Sequence, residues 1–125
     1  MLRFGINRIF TGVRNYSNLS KKIYTPTHEW ILECEKYKKI GISNEAVNQL
    51  NEIIYLEYNC EKGDNIEDED QSELIVIESV KAVAHVNLPE NSTIYELNHN
   101  LIDNLDQLNN DPECEDNSWI VKIEK

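Results

Sequence analysis

The sequence predicts one mainly β domain, a small sandwich or barrel with short peripheral helices. Three observations predict it. The chain has 125 residues, of which 40% are hydrophobic, enough for one modest core. Beyond residue 22 the apolar residues fall in short β-branched and aromatic runs separated by polar turns. Only two short stretches show helical spacing, and several short strands with brief helices pack as a sandwich or barrel.

Each element has its own local signal. Trp30-Ile31-Leu32-Glu33-Cys34 and Lys38-Lys39-Ile40-Gly41-Ile42 flank a polar turn and predict a hairpin. Ser43 then serves as a helix N-cap, and Glu45 lies where it favours the positive end of the dipole. Ala46, Val47 and Leu50 give that short helix one apolar side. Residues 53–58 return to strand, rich in β-branched and aromatic side chains.

Residues 59–73 carry Glu61, Asp64, Glu67, Asp68, Glu69, Asp70 and Glu73, and are expected to be a solvated loop. They lack the ligand spacing and central glycine of an EF-hand, so no metal site is expected. Leu74-Ile75-Val76-Ile77 is a continuous apolar run, as in a strand with little exposure on either side. After Glu78-Ser79-Val80-Lys81-Ala82, Val83 and His85 alternate along a further strand. Pro89 and Asn91 mark a turn, and residues 93–97 another strand. Leu101, Ile102, Leu105 and Leu108 have helical spacing, and residues 118–122 close the chain as a strand with Trp119 and Val121 on one side.

Charge divides the chain in two. Residues 1–22 contain Arg3, Arg8, Arg14, Lys21 and Lys22 with no acid, a charge of +5, which leaves seven basic and 23 acidic residues after them. On a helical wheel Leu2, Ile6, Ile9, Phe10 and Val13 share one side, with the arginines at or beyond its edges. Amphipathicity, arginine, serine and the lack of acids predict a mitochondrial transit peptide over 1–22, with matrix delivery and cleavage after Tyr16. Residues 23–125 are then the working domain. Its acidity argues against nucleic acid, which needs a concentrated basic surface. No apolar run is long enough to cross a bilayer. Cys34, Cys60 and Cys114 are widely spaced, without a Cys-x-x-Cys pair, and read as free thiols.

Lys81 stands out by context. It follows a buried-type strand at an expected hairpin tip, among small or apolar neighbours and without an acid four residues on. Acylated there, it becomes the root of a flexible arm, and a tethered arm raises local concentration without a stable complex.

Tyr24-Thr25-x-Thr27-His28-Glu29-Trp30 resembles the opening motif of glycine cleavage H proteins. Ile40-Gly41-Ile42-Ser43, Glu52-Ile53-Ile54-Tyr55-Leu56-Glu57 and Ile77-Glu78-Ser79-Val80-Lys81-Ala82 match later family segments in order. Pro89, Asn104, Asn109, Asp111-Pro112 and Trp119-Ile120-Val121-Lys122-Ile123 continue the match to residue 123. The resemblance implies a lipoyl-domain-like barrel-sandwich hybrid and a non-enzymatic carrier. It also implies lipoate attached to Lys81, with Glu78, Ser79, Val80 and Ala82 as the context of the attachment site. The implied partners are the glycine decarboxylase (P protein), the aminomethyltransferase (T protein), dihydrolipoamide dehydrogenase (L protein) and a lipoate-attaching enzyme. The arm would take an aminomethyl group from the first to the second and be reoxidised by the third, the chemistry belonging to cofactor and partners. Biotin carriers usually flank their lysine with methionines, and dehydrogenase-complex lipoyl domains place Asp before it. Val80 and Ala82 fit neither.

The resemblance further implies that Thr27 and Glu29 shelter the aminomethyl cargo, with the family's Asp four residues after the lysine. That position is His85 here. An anionic acceptor is replaced by a group that is neutral or cationic near physiological pH, and a protonated imidazole repels a protonated amine. Ser92 replaces a family glycine, so the turn after Pro89 must avoid the glycine conformation at that residue. Leu105 replaces a common proline, which predicts an uninterrupted helix over 101–109. The chain stops at Lys125, before a helical segment seen in many family members. His28 and Trp30 are expected to fix the segment around Glu29, and His99 to lie on the surface. Competing readings are a relay supplying lipoate to other mitochondrial enzymes and a non-lipoylated interaction module. No serine, cysteine or histidine constellation argues for an autonomous enzyme.

Overall fold

A computed structural model describes residues 21–67 and 69–125. The expected leader therefore lies outside the described residues, except for Lys21 and Lys22. Lys22 already belongs to the folded body: it opens β1 (Lys22–Tyr24) and its amine reaches the Glu113 carbonyl. The strands that follow are β2 (Glu29–Glu33), β3 (Tyr37–Ile42), β4 (Ile53–Tyr58) and β5 (Asn65–Ile66). They continue as β6 (Ile75–Ser79), β7 (Val83–His85), β8 (Ser92–Leu97) and β9 (Val121–Glu124). Helix α1 (Asn44–Leu50) links β3 to β4, and a 3-10 turn (His99–Asp103) with α2 (Leu105–Asn110) follows β8.

Among the described residues two antiparallel sheets result, one of six strands in the order β1-β2-β3-β9-β8-β5 and one of three, β4-β6-β7. Alternation along each strand sends one set of side chains between the sheets. Ile31, Ile40 and Ile42 from the larger sheet meet Ile53, Leu56, Ile75 and Ile77 from the smaller, with Leu101 and Leu108 closing the core. Burying a side chain of this size contributes about 1.5–3 kcal/mol. A second cluster, Trp30, Leu32 and Trp119, lies apart from that core, with Trp30 and Leu32 on the alternate positions of β2.

Local signals explain much of this. Ser43 caps α1 by accepting from the Ala46 N–H, and Ala46, Val47 and Leu50 pack on the core. Asn51 ends the helix at φ +65°, where its N–H bonds the Val47 carbonyl. Asn91 adopts φ +60°, so the left-handed residue of the turn after Pro89 is the one before Ser92. The Ser92 hydroxyl donates to the Pro89 carbonyl at 2.5 Å. The three cysteines are free thiols, and His99 is exposed with its ring edge-on to Tyr58.

Four expectations need correction. The acidic loop contains a short strand, β5, held by Gly63 N–H on the Ile94 carbonyl (2.8 Å) and Ile94 N–H on the Asp64 carbonyl (2.9 Å). The run at 74–77 is not shielded on both sides: Ile75 and Ile77 are buried while Val76 is only half-buried. No continuous helix spans 101–109. The chain breaks at Asn104 (φ −142°) even without a proline, where the break lets both Leu101 and Leu108 reach the core. Asn109 then ties α2 to β4, accepting from Ile53 N–H (2.8 Å) and donating to the Ile53 carbonyl (3.0 Å). Finally, Trp119 and Val121 do not share a side. Val121 joins the inner core and Trp119 the outer cluster, because regular pairing begins only at Val121.

Candidate functional site

The β6–β7 connection is a tight turn whose tip is Val80 and Lys81. Ser79 N–H donates to the Ala82 carbonyl at 2.8 Å, closing it. The buried Ser79 hydroxyl oxygen accepts from the N–H groups of Lys81 (3.1 Å) and Ala82 (3.0 Å) and donates to the Ala82 carbonyl (3.2 Å). Val80 N–H donates to the Glu52 carbonyl at 3.0 Å, anchoring the tip to the start of β4. The backbone is thus held by hydrogen bonds while the Lys81 side chain is exposed. Among the described residues its amine makes no ion pair.

Strand register places side chains in rows across the small sheet. Leu56, Ile77 and Ala84 form an inward row, so Tyr55, Glu78 and Val83 form an outward one, followed by Glu57, Val76 and His85. Val80 is 62% exposed and Val83 70%, and Ile54 and Tyr55 are also exposed. Glu57 is held below the usual carboxylate range by hydrogen bonds from Asn59 and Tyr55. An apolar surface edged with charged acids therefore surrounds the lysine.

The three residues named as a shelter occupy one hydrogen-bonded chain. Glu29 opens β2 on the side facing the core and is only 2% exposed. Its Oε1 accepts from the hydroxyls of Thr25 and Thr27. Its Oε2 accepts from the backbone N–H (3.0 Å) and side-chain amide (3.2 Å) of Asn87. Asn87 Oδ1 in turn lies 3.0 Å from His85 Nε2. Thr27 and Glu29 are thus in direct contact, and His85 joins them only through Asn87. The approach to β2 is shaped by His28 at φ +71°, whose N–H donates to the Thr25 carbonyl (3.0 Å) and whose carbonyl accepts from Ser43 N–H (2.9 Å). Trp30 is wholly buried, donating its indole N–H to the Pro112 carbonyl at 3.0 Å.

Asn87 is the site residue that sequence reasoning missed. Its importance arises where the end of one sheet meets the start of the other, and nothing local announces that. A depression of about 890 Å³, lined by Tyr58, Cys60 and His99 among others, includes neither the hairpin nor this chain.

Two sheets enclosing one core, with a lysine at an exposed hairpin tip, define a lipoyl-domain-like barrel-sandwich. Comparison with known proteins agrees. The family model described as glycine cleavage H-protein matches residues 22–125. A glycine cleavage system H protein of Prochlorococcus marinus (strain MIT 9215) is 40% identical over 99 residues, covering 78% of this chain and 72% of that one. That of Thermotoga maritima is 36% identical over 107 residues, covering 85% and 82%. The crystal structure of a glycine cleavage system H protein from Mycobacterium marinum shares the fold, with a TM-score of 0.70 at 23% identity and 82% of each chain covered. The chain belongs to the glycine cleavage H-protein family, whose members are carriers rather than enzymes.

Proposed function

We propose that this chain carries lipoate in amide linkage on Lys81 and serves glycine cleavage as its mobile arm. The observation that carries this reading is the β6–β7 tip: an exposed lysine with an uncommitted amine on a backbone fixed by Ser79. The residues present fit the group. A lysine amine must be accessible and unpaired to be acylated, and exposed Val80 and Val83 offer an apolar surface beside its root. When bound, lipoate supplies a disulfide that accepts a one-carbon amine unit on reduction and is regenerated by oxidation. The chain's own part is to present the tip, keep the root rigid and offer the surrounding face to each partner in turn.

The partners in this reading are the glycine decarboxylase, the aminomethyltransferase, dihydrolipoamide dehydrogenase and the enzyme that attaches lipoate. The outward row Tyr55, Glu78 and Val83 supports a contact surface there, since exposed apolar patches mark interaction sites. Residues 1–22 make the mitochondrial matrix the proposed compartment. Deleting residues 1–16, which spares Lys22 and its contacts, should abolish matrix delivery in an import assay.

Mass spectrometry of the Lys81 peptide from protein made in its own compartment tests the central claim. A lipoyl adduct is expected, and an unmodified lysine would overturn it. Reconstitution with the decarboxylase then separates cleavage from a lipoate relay, which would transfer lipoate to other enzymes but accept no aminomethyl group.

A further inference from the structure

Of the three shelter residues, Glu29 has no acceptor capacity left. A carboxylate offers about four lone-pair positions, and Thr25, Thr27 and the two Asn87 N–H groups occupy them. Thr27 spends its proton on the same oxygen. An arriving amine must therefore find an acceptor other than Glu29; Thr27 Oγ1 keeps lone pairs of its own, and a second acceptor lies further along the chain of bonds.

Asn87 decides where. Because a carboxylate only accepts, the Asn87 side-chain atom facing Glu29 must be its NH2. Its Oδ1 is then the atom 3.0 Å from His85 Nε2. A carbonyl oxygen cannot donate, so Nε2 must carry the hydrogen. In the neutral ring that leaves Nδ1 bare, and among the described residues Nδ1 makes no hydrogen bond. We propose that Asn87 is a positioning residue that locks His85 in its Nε2–H tautomer, making His85 Nδ1 the acceptor for a protonated amine brought back by the Lys81 arm. The proposal rests on the carrier reading above.

Its surroundings favour a cation. Glu57 shares the cross-strand row of His85, Glu78 lies one row nearer the tip, and Glu29 stands behind Asn87. Asp70, in the loop before β6, is held below its usual range chiefly by Ser72 and partly by the His85 imidazole. Lys81, four residues earlier, is the one other basic group on the hairpin, and acylation removes its charge. The acids attract either an amine or an imidazolium, but not both at once, since protonation turns Nδ1 into a donor and makes the ring repel the amine. A neutral ring would hold the cargo and a protonated ring release it.

Nitrogen-15 NMR of the full-length chain reads the tautomer directly, without lipoate or partners. With the ring neutral, the wild type should show the Nε2–H pattern and Asn87→Leu a mixture. Nδ1–H, or an even mixture, in the wild type would overturn the proposal whether or not the variant folds. On the loaded protein, the hydrolysis rate relative to that of His85→Asp should rise about fivefold as the same NMR signals show the ring becoming protonated, the factor expected for one lost hydrogen bond. A flat ratio would also overturn it. Failure of the carrier reading looks different, as a missing lipoyl mass on Lys81.

Discussion

The Ser79 hydroxyl oxygen lies 3.1 Å from the backbone nitrogen of Lys81, and one buried hydroxyl makes three of the hydrogen bonds that hold the tip. Ser79→Ala should cost about 1–3 kcal/mol, the penalty for buried groups left unpaired. Urea unfolding measures that loss, and lipoylation in vitro should slow as the tip loses its single geometry. Lys81→Arg should match the wild type in unfolding but show no lipoyl mass, because a guanidinium stays charged and cannot be acylated at neutral pH. Wild-type modification rates in Ser79→Ala would remove the turn from the recognition argument.

Gly41 is the floor beneath Trp30. A Cβ there would stand 2.4 Å from the indole Cε2, closer than any tolerated contact, and the indole is fixed by Pro112 and by Trp119 and Leu32 around it. Gly41→Ala should destabilise by about 1–3 kcal/mol. A lowered Tm with shifted tryptophan emission is the expected result.

Glu113 joins three segments, accepting from the Tyr24 hydroxyl at 2.6 Å and the Asn44 N–H at 2.8 Å, beside the Lys22 amine. Burial raises its pKa, but Tyr24, Asn44 and Lys22 outweigh burial and hold it below the usual value. Stability from a depressed carboxylate is present above its unfolded pKa and lost as pH falls through the folded one. Glu113→Gln should therefore be less stable by about 1 kcal/mol at neutral pH. The gap should close in acid below the carboxylate range, as followed by urea midpoints across pH.

Cys60 is buried, and burial followed by the Asp64 charge pushes its thiol up to about 11. Since the thiolate is the nucleophile, iodoacetamide near neutral pH should label the half-buried Cys34 and Cys114 first. Cys60 should react only in denaturant. Equal labelling in the native protein would contradict its burial.

The order of strands was legible because β-branched runs, period-two alternation and turn residues are local, and so was the Ser43 cap. The Lys81 tip could be read because the β6 run ends in a short polar break. Features that failed to show depend on distant partners. Strand β5 exists because Ile94 supplies its neighbours with backbone bonds, inside a segment whose composition is that of a solvated loop. The break at Asn104 reflects where the core lies relative to Leu101 and Leu108, which helical periodicity alone does not encode. Trp119 parts from Val121 because the backbone before β9 is pinned irregularly, by Ser118 on the Asp111 carbonyl (2.6 Å) and Ile120 N–H on the Ile40 carbonyl (2.8 Å). Asn87 illustrates the same limit at the site, since its two partners come from opposite sheets.

That last contact has a mechanical meaning. Glu29 belongs to the six-stranded layer and Asn87 follows the last strand of the three-stranded one, so their bonds are a stitch between two plates. The thread runs from His85 through Asn87 to the head of β2, where Trp30, the residue after Glu29, is clamped without solvent contact. If the proposed cargo docks at His85, the indole in the far plate should act as its gauge, with an emission that differs between laden and empty carrier without any label on the arm.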